Sequence, residues 1–121
     1  MDARASFAIA APEAMERTGA WTLVRRSLGC RAFGINRVEI APGDEIPPHD
    51  EQERDQEEVF VVLAGNAAIV IDGEEHQAPA GTFARVDPHH NRTVRNDGAE
   101  AVSLLIVSAP TTSGYEPMEW A

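Results

Sequence analysis

Short hydrophobic runs with alternating polar positions follow one another along most of this chain, and turn residues separate them. The runs are rich in Val, Ile and Phe, and Gly, Pro, Asn or Asp stand between them, which is typical of β-strands. The pattern predicts strands over residues 21–25, 31–40, 58–63, 67–71, 74–79, 82–86, 92–96 and 101–108. Between two of these runs, Asp72-Gly73 favours a two-residue hairpin with a type I′ turn. Many short antiparallel strands predict an all-β sandwich or barrel.

One segment, residues 11–17, has the features of a helix. Pro12 occupies a first-turn position, Glu13 and Glu16 place acidic groups early, and Gly19 comes where a helix would end. We predict a short N-terminal helical turn here and no other helix.

The length of the chain, 121 residues with 43% hydrophobic residues, allows one packed core and no second one. We therefore predict a single domain over residues 1–121, with a barrel core at about 30–108, an N-terminal arm at 1–29 and a C-terminal tail at 109–121. The tail carries Tyr115, Met118 and Trp120, which we expect to pack on the barrel or on a partner subunit.

The formal net charge is −10, and residues 50–58 contribute −5 of it. So acidic a chain is not expected to bind nucleic acid or an anionic membrane, because both require a positive surface. Its single cysteine, Cys30, excludes an internal disulfide and a cysteine-based zinc site, and we interpret it as a half-buried residue of a strand. No run of residues reaches membrane-spanning length and the N-terminus has no long apolar segment, so we expect a cytoplasmic protein.

Three glycines, a histidine, a glutamate and an asparagine occur at characteristic spacings, in a first motif over residues 43–65 and a second over residues 81–96. Five residues separate Gly43 from His49, six separate Glu58 from Gly65, and a second motif begins at Gly81 and ends at Asn96. With these motifs the chain resembles the cupins, a family of small jelly-roll barrels built as a double-stranded β-helix. The resemblance covers roughly residues 30–108 and implies an all-β barrel with a short N-terminal helical turn.

The resemblance also implies a metal site, which this chain reproduces only in part. Cupins hold a divalent cation with three histidines and one glutamate, and the matching positions here are His49, Glu51, Glu58 and Arg92. Arginine has no lone pair to give to a metal. His49, Glu51 and Glu58 could still hold Fe, Mn, Ni or Zn, or Arg92 could form an ion pair with a carboxylate in place of the metal.

Strand alternation requires one of the two neighbouring glutamates, Glu57 or Glu58, to face the barrel. The spacing to Gly65 selects Glu58, and Phe60 then lies on the same face. We therefore expect a barrel cavity lined by His49, Glu58, Phe60 and Arg92. Arg92 would either clamp a ligand carboxylate or phosphate or form a structural ion pair.

Three functions remain open at this point. The first is a small-molecule-binding cupin with a degenerate or weak metal site and a polar or anionic ligand. The second is a metal-dependent oxygenase or isomerase that uses His49, Glu51 and Glu58, with His90 completing the set if the register shifts. The third is a structural or regulatory module without a ligand. Because cupins commonly pair the edges of their N-terminal strands, the resemblance also implies a homodimer.

Overall fold

The computed structural model describes residues 4–121, and nine strands, one short α-helix and one 3₁₀ turn lie within them. The 3₁₀ turn is Pro12–Ala14 and helix α1 is Val24–Leu28. The strands are β1 (Arg17–Thr18), β2 (Trp21–Thr22), β3 (Gly34–Ile40), β4 (Gln56–Ala64), β5 (Asn66–Ile71), β6 (Glu74–Pro79), β7 (Phe83–Val86), β8 (Arg92–Arg95) and β9 (Val102–Pro110).

The strands form two antiparallel sheets. The larger sheet has the order β1-β2-β3-β9-β4-β7 and the smaller has the order β6-β5-β8. Because β9 lies between β3 and β4, strands from the two ends of the chain are neighbours in the larger sheet, as in a jelly roll. The expectation of an antiparallel all-β barrel is confirmed.

The core lies between the inner faces of the two sheets. Alternate residues of β3, β4 and β9 meet those of β5, β6 and β8, as the period of two along a strand requires. The buried hydrophobic residues are Val38, Ile40, Ile46, Phe60, Val62, Ala67, Ile69, Ala78, Val86, Val94, Val102, Leu104 and Ile106. The predicted inward face of β4, with Glu58, Phe60 and Val62, is the buried one.

Two turns have the backbone that their residues predicted. Asp72 and Gly73 have φ angles of 50° and 83°, both positive as a type I′ turn requires. Gly65, between β4 and β5, has φ +82°, and a Cβ there would lie 2.6 Å from the carbonyl oxygen of Ala101. No other residue fits that position without a shift of the backbone, which explains the glycine at this end of the first motif.

The N-terminal part differs from the prediction. Residues 24–28 form helix α1 where the end of a strand and a loop were expected, and Cys30 lies between α1 and β3 outside any strand. Gly29 is the residue that could have indicated this helix. It adopts φ +74° and its backbone amide donates to the carbonyl of Arg25, a common way for a helix to end at glycine. The strand-forming residues around Trp21 favoured a strand instead, and the helix was missed. The predicted helical turn at 11–17 is the shorter 3₁₀ turn Pro12–Ala14.

The C-terminal tail is irregular, as expected, but its aromatic side chains remain in solvent. Tyr115 and Trp120 are 76% and 84% exposed, and Met118 is 64% exposed. They do not pack closely on the barrel, so contact with a partner subunit stays a prediction. No helix within residues 4–121 is long and apolar enough to cross a membrane.

Candidate functional site

His49 is placed by backbone pairing with strand β8. Its amide donates to the carbonyl of Arg92 (3.0 Å), and the amide of Arg92 donates back to the carbonyl of His49 (2.8 Å). Residues directly opposite each other in such a pair project to the same side of a sheet. The two motif positions, 43 residues apart, therefore meet inside the barrel.

Glu51 and Glu58 reach the same point from the loop and from β4. The amide of Glu51 donates to the carbonyl of Pro88 (2.9 Å), which holds the loop of residues 50–55 against the turn before β8. Glu58 is on the inner face of β4 and its side chain is 9% exposed, whereas Glu57 faces solvent. The expectation that Glu58 rather than Glu57 faces inward is therefore correct.

The three side chains form one group, which we call the acidic cluster (His49, Glu51 and Glu58). Nε2 of His49 lies 3.7 Å from Oε2 of Glu51 and 4.0 Å from Oε1 of Glu58. One possible ligand atom from each residue lies within 4.8 Å of the others. The structure thus brings together the three residues that the sequence predicted as possible metal ligands.

The hydrogen bond of the other ring nitrogen sets the tautomer of His49. Nδ1 lies 2.9 Å from the carbonyl oxygen of Pro47, which can only accept, so Nδ1 carries the proton. In neutral His49, the lone pair is then on Nε2, which faces the two carboxylates. Three acceptors converge and none of the three residues supplies a donor to the other two, an arrangement that favours a proton, a metal cation or a donor group of a ligand.

Arg92 lies behind the cluster with its guanidinium fully buried. Nη1 donates to Oε1 of Glu58 (2.7 Å), Nε donates to the carbonyl of His90 (2.9 Å) and Nη2 donates to the carbonyl of Asp87 (2.6 Å). The oxygen of Glu58 that faces His49 is thus the one that Arg92 holds. Of the two roles considered for Arg92, the structural ion pair is present.

Burial raises the pKa of Glu58 above its ordinary value of 4.5, even though the hydrogen bond and the charge of Arg92 lower it. The nearby charge of Glu51 adds to the increase. The folded chain therefore keeps the proton of Glu58 to a higher pH than the unfolded chain does.

A pH series on Glu58→Gln tests this shift. The contribution of Glu58 to stability is fully present below pH 4.5 and is lost as the pH rises through the raised pKa, because the folded state binds more protons in that interval. The free energy of unfolding of the native chain, minus that of the variant, should therefore fall with rising pH, by at most about 1.4 kcal/mol per pH unit. Urea unfolding between pH 4.5 and 7.5 measures it, with Glu57→Gln on the outer face as control. If the difference between the two free energies of unfolding does not change with pH, the pKa of Glu58 is not raised in the folded chain.

A cavity of about 320 Å³ opens in front of the acidic cluster, and we call it the acidic cavity. His49, Glu51 and Glu58 form its polar end, and Trp21, Ile46 and Ile106 contribute apolar wall. Phe60 and Arg92, which were also expected to line the cavity, are 0% exposed and do not belong to its wall. Arg92 instead donates to Glu58, and Phe60 lies two residues from Glu58 on the buried face of β4.

Two other residues of the second motif have structural contacts. His90 lies apart from the acidic cluster, and its Nδ1 contacts a carboxylate oxygen of Asp72, which lowers the pKa of that carboxyl group. The side-chain Nδ2 of buried Asn96 donates to the carbonyls of Ile40 (2.8 Å) and Glu100 (2.7 Å), which joins β3 to the loop before β9. His90 therefore does not complete a metal set in this register.

Several wall residues were not found by sequence reasoning. Gln56 shares the inner face of β4 with Glu58, so strand alternation could have identified it. Ser108 pairs directly with Glu58 across β4 and β9, and it became visible only once that register was known. Asn36 and Arg54 gave no signal in the sequence, since neither belongs to the cupin motifs.

Residues 36–108 match the sequence profile described as the cupin domain, which covers more than half of the chain. The chain belongs to the cupin family. No curated protein shows significant sequence similarity to this cupin.

Solved structures agree on the fold. A cupin protein from Bacteroides fragilis superposes with a TM-score of 0.74 at 20% identity, over 99% of this cupin and 94% of that chain. A cupin 2 conserved barrel domain protein from Salinispora arenicola has a TM-score of 0.60 at 22% identity, over 69% and 67% of the two chains. A predicted oxalate decarboxylase from Thermotoga maritima has a TM-score of 0.59 at 19% identity. That match covers 64% of this cupin and 65% of the Thermotoga chain, just under two thirds of the latter.

Proposed function

We propose that this cupin binds a small polar molecule in the acidic cavity and does not depend on a tightly held metal. The observation that carries the proposal is the buried contact between Nη1 of Arg92 and Oε1 of Glu58 at 2.7 Å. The guanidinium of Arg92 is a permanent cation, and it stands at the position where the family has a metal ligand. It also occupies one oxygen of Glu58, the carboxylate that matches the family's ligand. Within residues 4–121, no buried side-chain nitrogen or oxygen lacks a hydrogen-bond partner.

The acidic cluster decides which part of a ligand would face it. Nε2 of His49 and the carboxylates of Glu51 and Glu58 are acceptors, so they favour a hydroxyl, an amide N–H or an ammonium group. The apolar wall from Trp21, Ile46 and Ile106 would hold the carbon skeleton. A compact molecule with a donor group at one end fits this arrangement.

A metal-dependent enzyme is the second candidate, and the orientation of His49 favours it. The bond from Nδ1 to the carbonyl of Pro47 directs Nε2 towards both carboxylates, as a metal-binding histidine is usually held. His49, Glu51 and Glu58 could together hold a divalent cation, Fe, Mn, Ni or Zn. A metal bound there would supply a Lewis acid for an oxygenase or isomerase reaction. Arg92 would weaken such a site by repelling the cation and by competing for Glu58.

Metal analysis separates the two candidates. Protein purified without a polyhistidine tag and dialysed should retain far less than one equivalent of Fe, Mn, Ni or Zn. The variant His49→Ala removes a cluster residue, and His76→Ala on β6 removes an exposed histidine as its control. Near-stoichiometric metal that His49→Ala loses and His76→Ala keeps would overturn the proposal in favour of the enzyme.

A thermal-shift screen of small alcohols, amides and amines tests the binding function itself. Compounds that raise the melting temperature of the native protein should fail to do so in His49→Ala and Glu51→Gln, and should still act on His76→Ala. If the stabilising compounds act equally on all variants, the acidic cavity is not their site. If no compound stabilises the protein, the module without a ligand becomes the better description.

A further inference from the structure

A second cavity, of about 540 Å³, lies next to the acidic cavity, and three arginines line it. We call it the arginine cavity (Arg25, Arg31 and Arg54). The two cavities have part of their wall in common, since both are lined by Gly34, Asn36, Arg54, Gln56 and Ser108. One molecule could therefore occupy both at once.

The charges of the two cavities are opposite. Glu51 and Glu58 line the acidic cavity, whereas no aspartate or glutamate of residues 4–121 belongs to the wall of the arginine cavity. This is unexpected in a chain with a formal net charge of −10, in which acidic residues outnumber basic ones 20 to 10. The cavity is a local positive region on an acidic protein.

Two of these arginines also lack the ion pairs that other arginines of the chain form. Most arginine side chains outside the cavity are paired with carboxylates: Arg26 with Glu16, Arg37 with Glu39, Arg85 with Asp87, Arg92 with Glu58 and Arg95 with Asp97. No carboxylate of the described residues lies within 4.0 Å of the guanidinium of Arg25 or Arg54. Arg25 has a single long contact, 3.4 Å, to the carbonyl of Cys30. Their hydrogen-bond donors are available to an anion.

We propose that the arginine cavity binds the carboxylate or phosphate group of a small molecule whose donor group lies in the acidic cavity. A planar guanidinium can offer two parallel N–H groups to either anion. Arg54 lines both cavities and would lie beside the junction of the two parts of the ligand. The two-ended ligand rests on the proposed function, while the anion site rests on the arginine cavity alone.

Titration with inorganic phosphate and with succinate, followed by NMR at constant ionic strength, tests the anion site. At least one of the two should shift the amide resonances of Asn36, Gln56 and Ser108 in a saturable way. Arg54→Gln and Arg25→Gln should each raise the dissociation constant about ten- to hundredfold, the loss expected for a hydrogen bond to a charged group. The control is Arg17→Gln on β1, which removes one positive charge outside both cavities. It should change the dissociation constant by less than about twofold.

The response to the two probes identifies the anion. Saturation by phosphate alone indicates a phosphate ligand, and saturation by succinate alone indicates a carboxylate. If neither probe saturates, or if Arg17→Gln weakens binding as much as Arg54→Gln, the proposal is wrong. His49→Ala should leave phosphate affinity unchanged, so failure of the acidic cavity to bind ligands and failure of the arginine cavity to bind anions are separate results.

Discussion

Replacing Arg92 by Met is expected to lower the free energy of unfolding by about 3–5 kcal/mol, the cost of leaving a buried charge without its partner. The variant loses the bond to Glu58 and the guanidinium hydrogen bonds to the carbonyls of His90 and Asp87. Urea denaturation at neutral pH measures the change.

Two further variants make this result specific. In Arg92→Met combined with Glu58→Met, both charges are gone, and much of the lost stability should return because an apolar pair can replace a buried ion pair. Arg85→Met breaks a pair with Asp87 whose arginine side chain is 63% exposed, and it should cost no more than about 0.5 kcal/mol. If the single variant at Arg92 loses less than about 1 kcal/mol, Glu58 is not left as an uncompensated buried charge and the prediction is wrong.

Replacing Phe60 by Ala should also cost about 3–5 kcal/mol, because it opens a hole in the centre of the core. Phe60 is fully buried, and Phe83 on the neighbouring strand β7 is 73% exposed. Phe83→Ala should therefore stay within about 0.5 kcal/mol of the native chain under the same denaturation measurement.

The same residue tests the position of the cavity. Phe60→Leu keeps a large apolar side chain in the core and should cost less than about 1.5 kcal/mol. Because Phe60 does not line the acidic cavity, any compound from the thermal-shift screen should bind this variant as it binds the native protein. A compound that loses its affinity in Phe60→Leu but not in Phe83→Leu would place Phe60 at the ligand after all.

Much of the fold could be predicted because its signals are local. Alternation along β4 together with the spacing to Gly65 selected Glu58, and Asp72-Gly73 specified its hairpin, since each signal spans only a few neighbouring residues. Helix α1 was missed although Gly29 ends it, because five residues give too short a periodic pattern to outweigh strand-like neighbours.

The site was predicted only in part because its geometry depends on pairing between distant strands. His49, Glu51 and Glu58 were named from motif spacing, and the register of β8 brings Arg92 opposite His49. Which side chains reach the cavity depends on depth in the core, and sequence spacing does not report depth. For that reason Phe60 and Arg92 were assigned to the wall, while Asn36, Arg54 and Ser108 were overlooked.

The three hydrogen bonds of Arg92 have a consequence for how this protein depends on its surroundings. A barrel whose buried carboxylate is neutralised by a metal gains stability only when the cell supplies that metal. Here the neutralising charge belongs to the chain and is synthesised with it. We therefore expect the barrel to be equally stable after chelator treatment and in metal-replete buffer, so that a shortage of metal would not leave a population of unfolded chains.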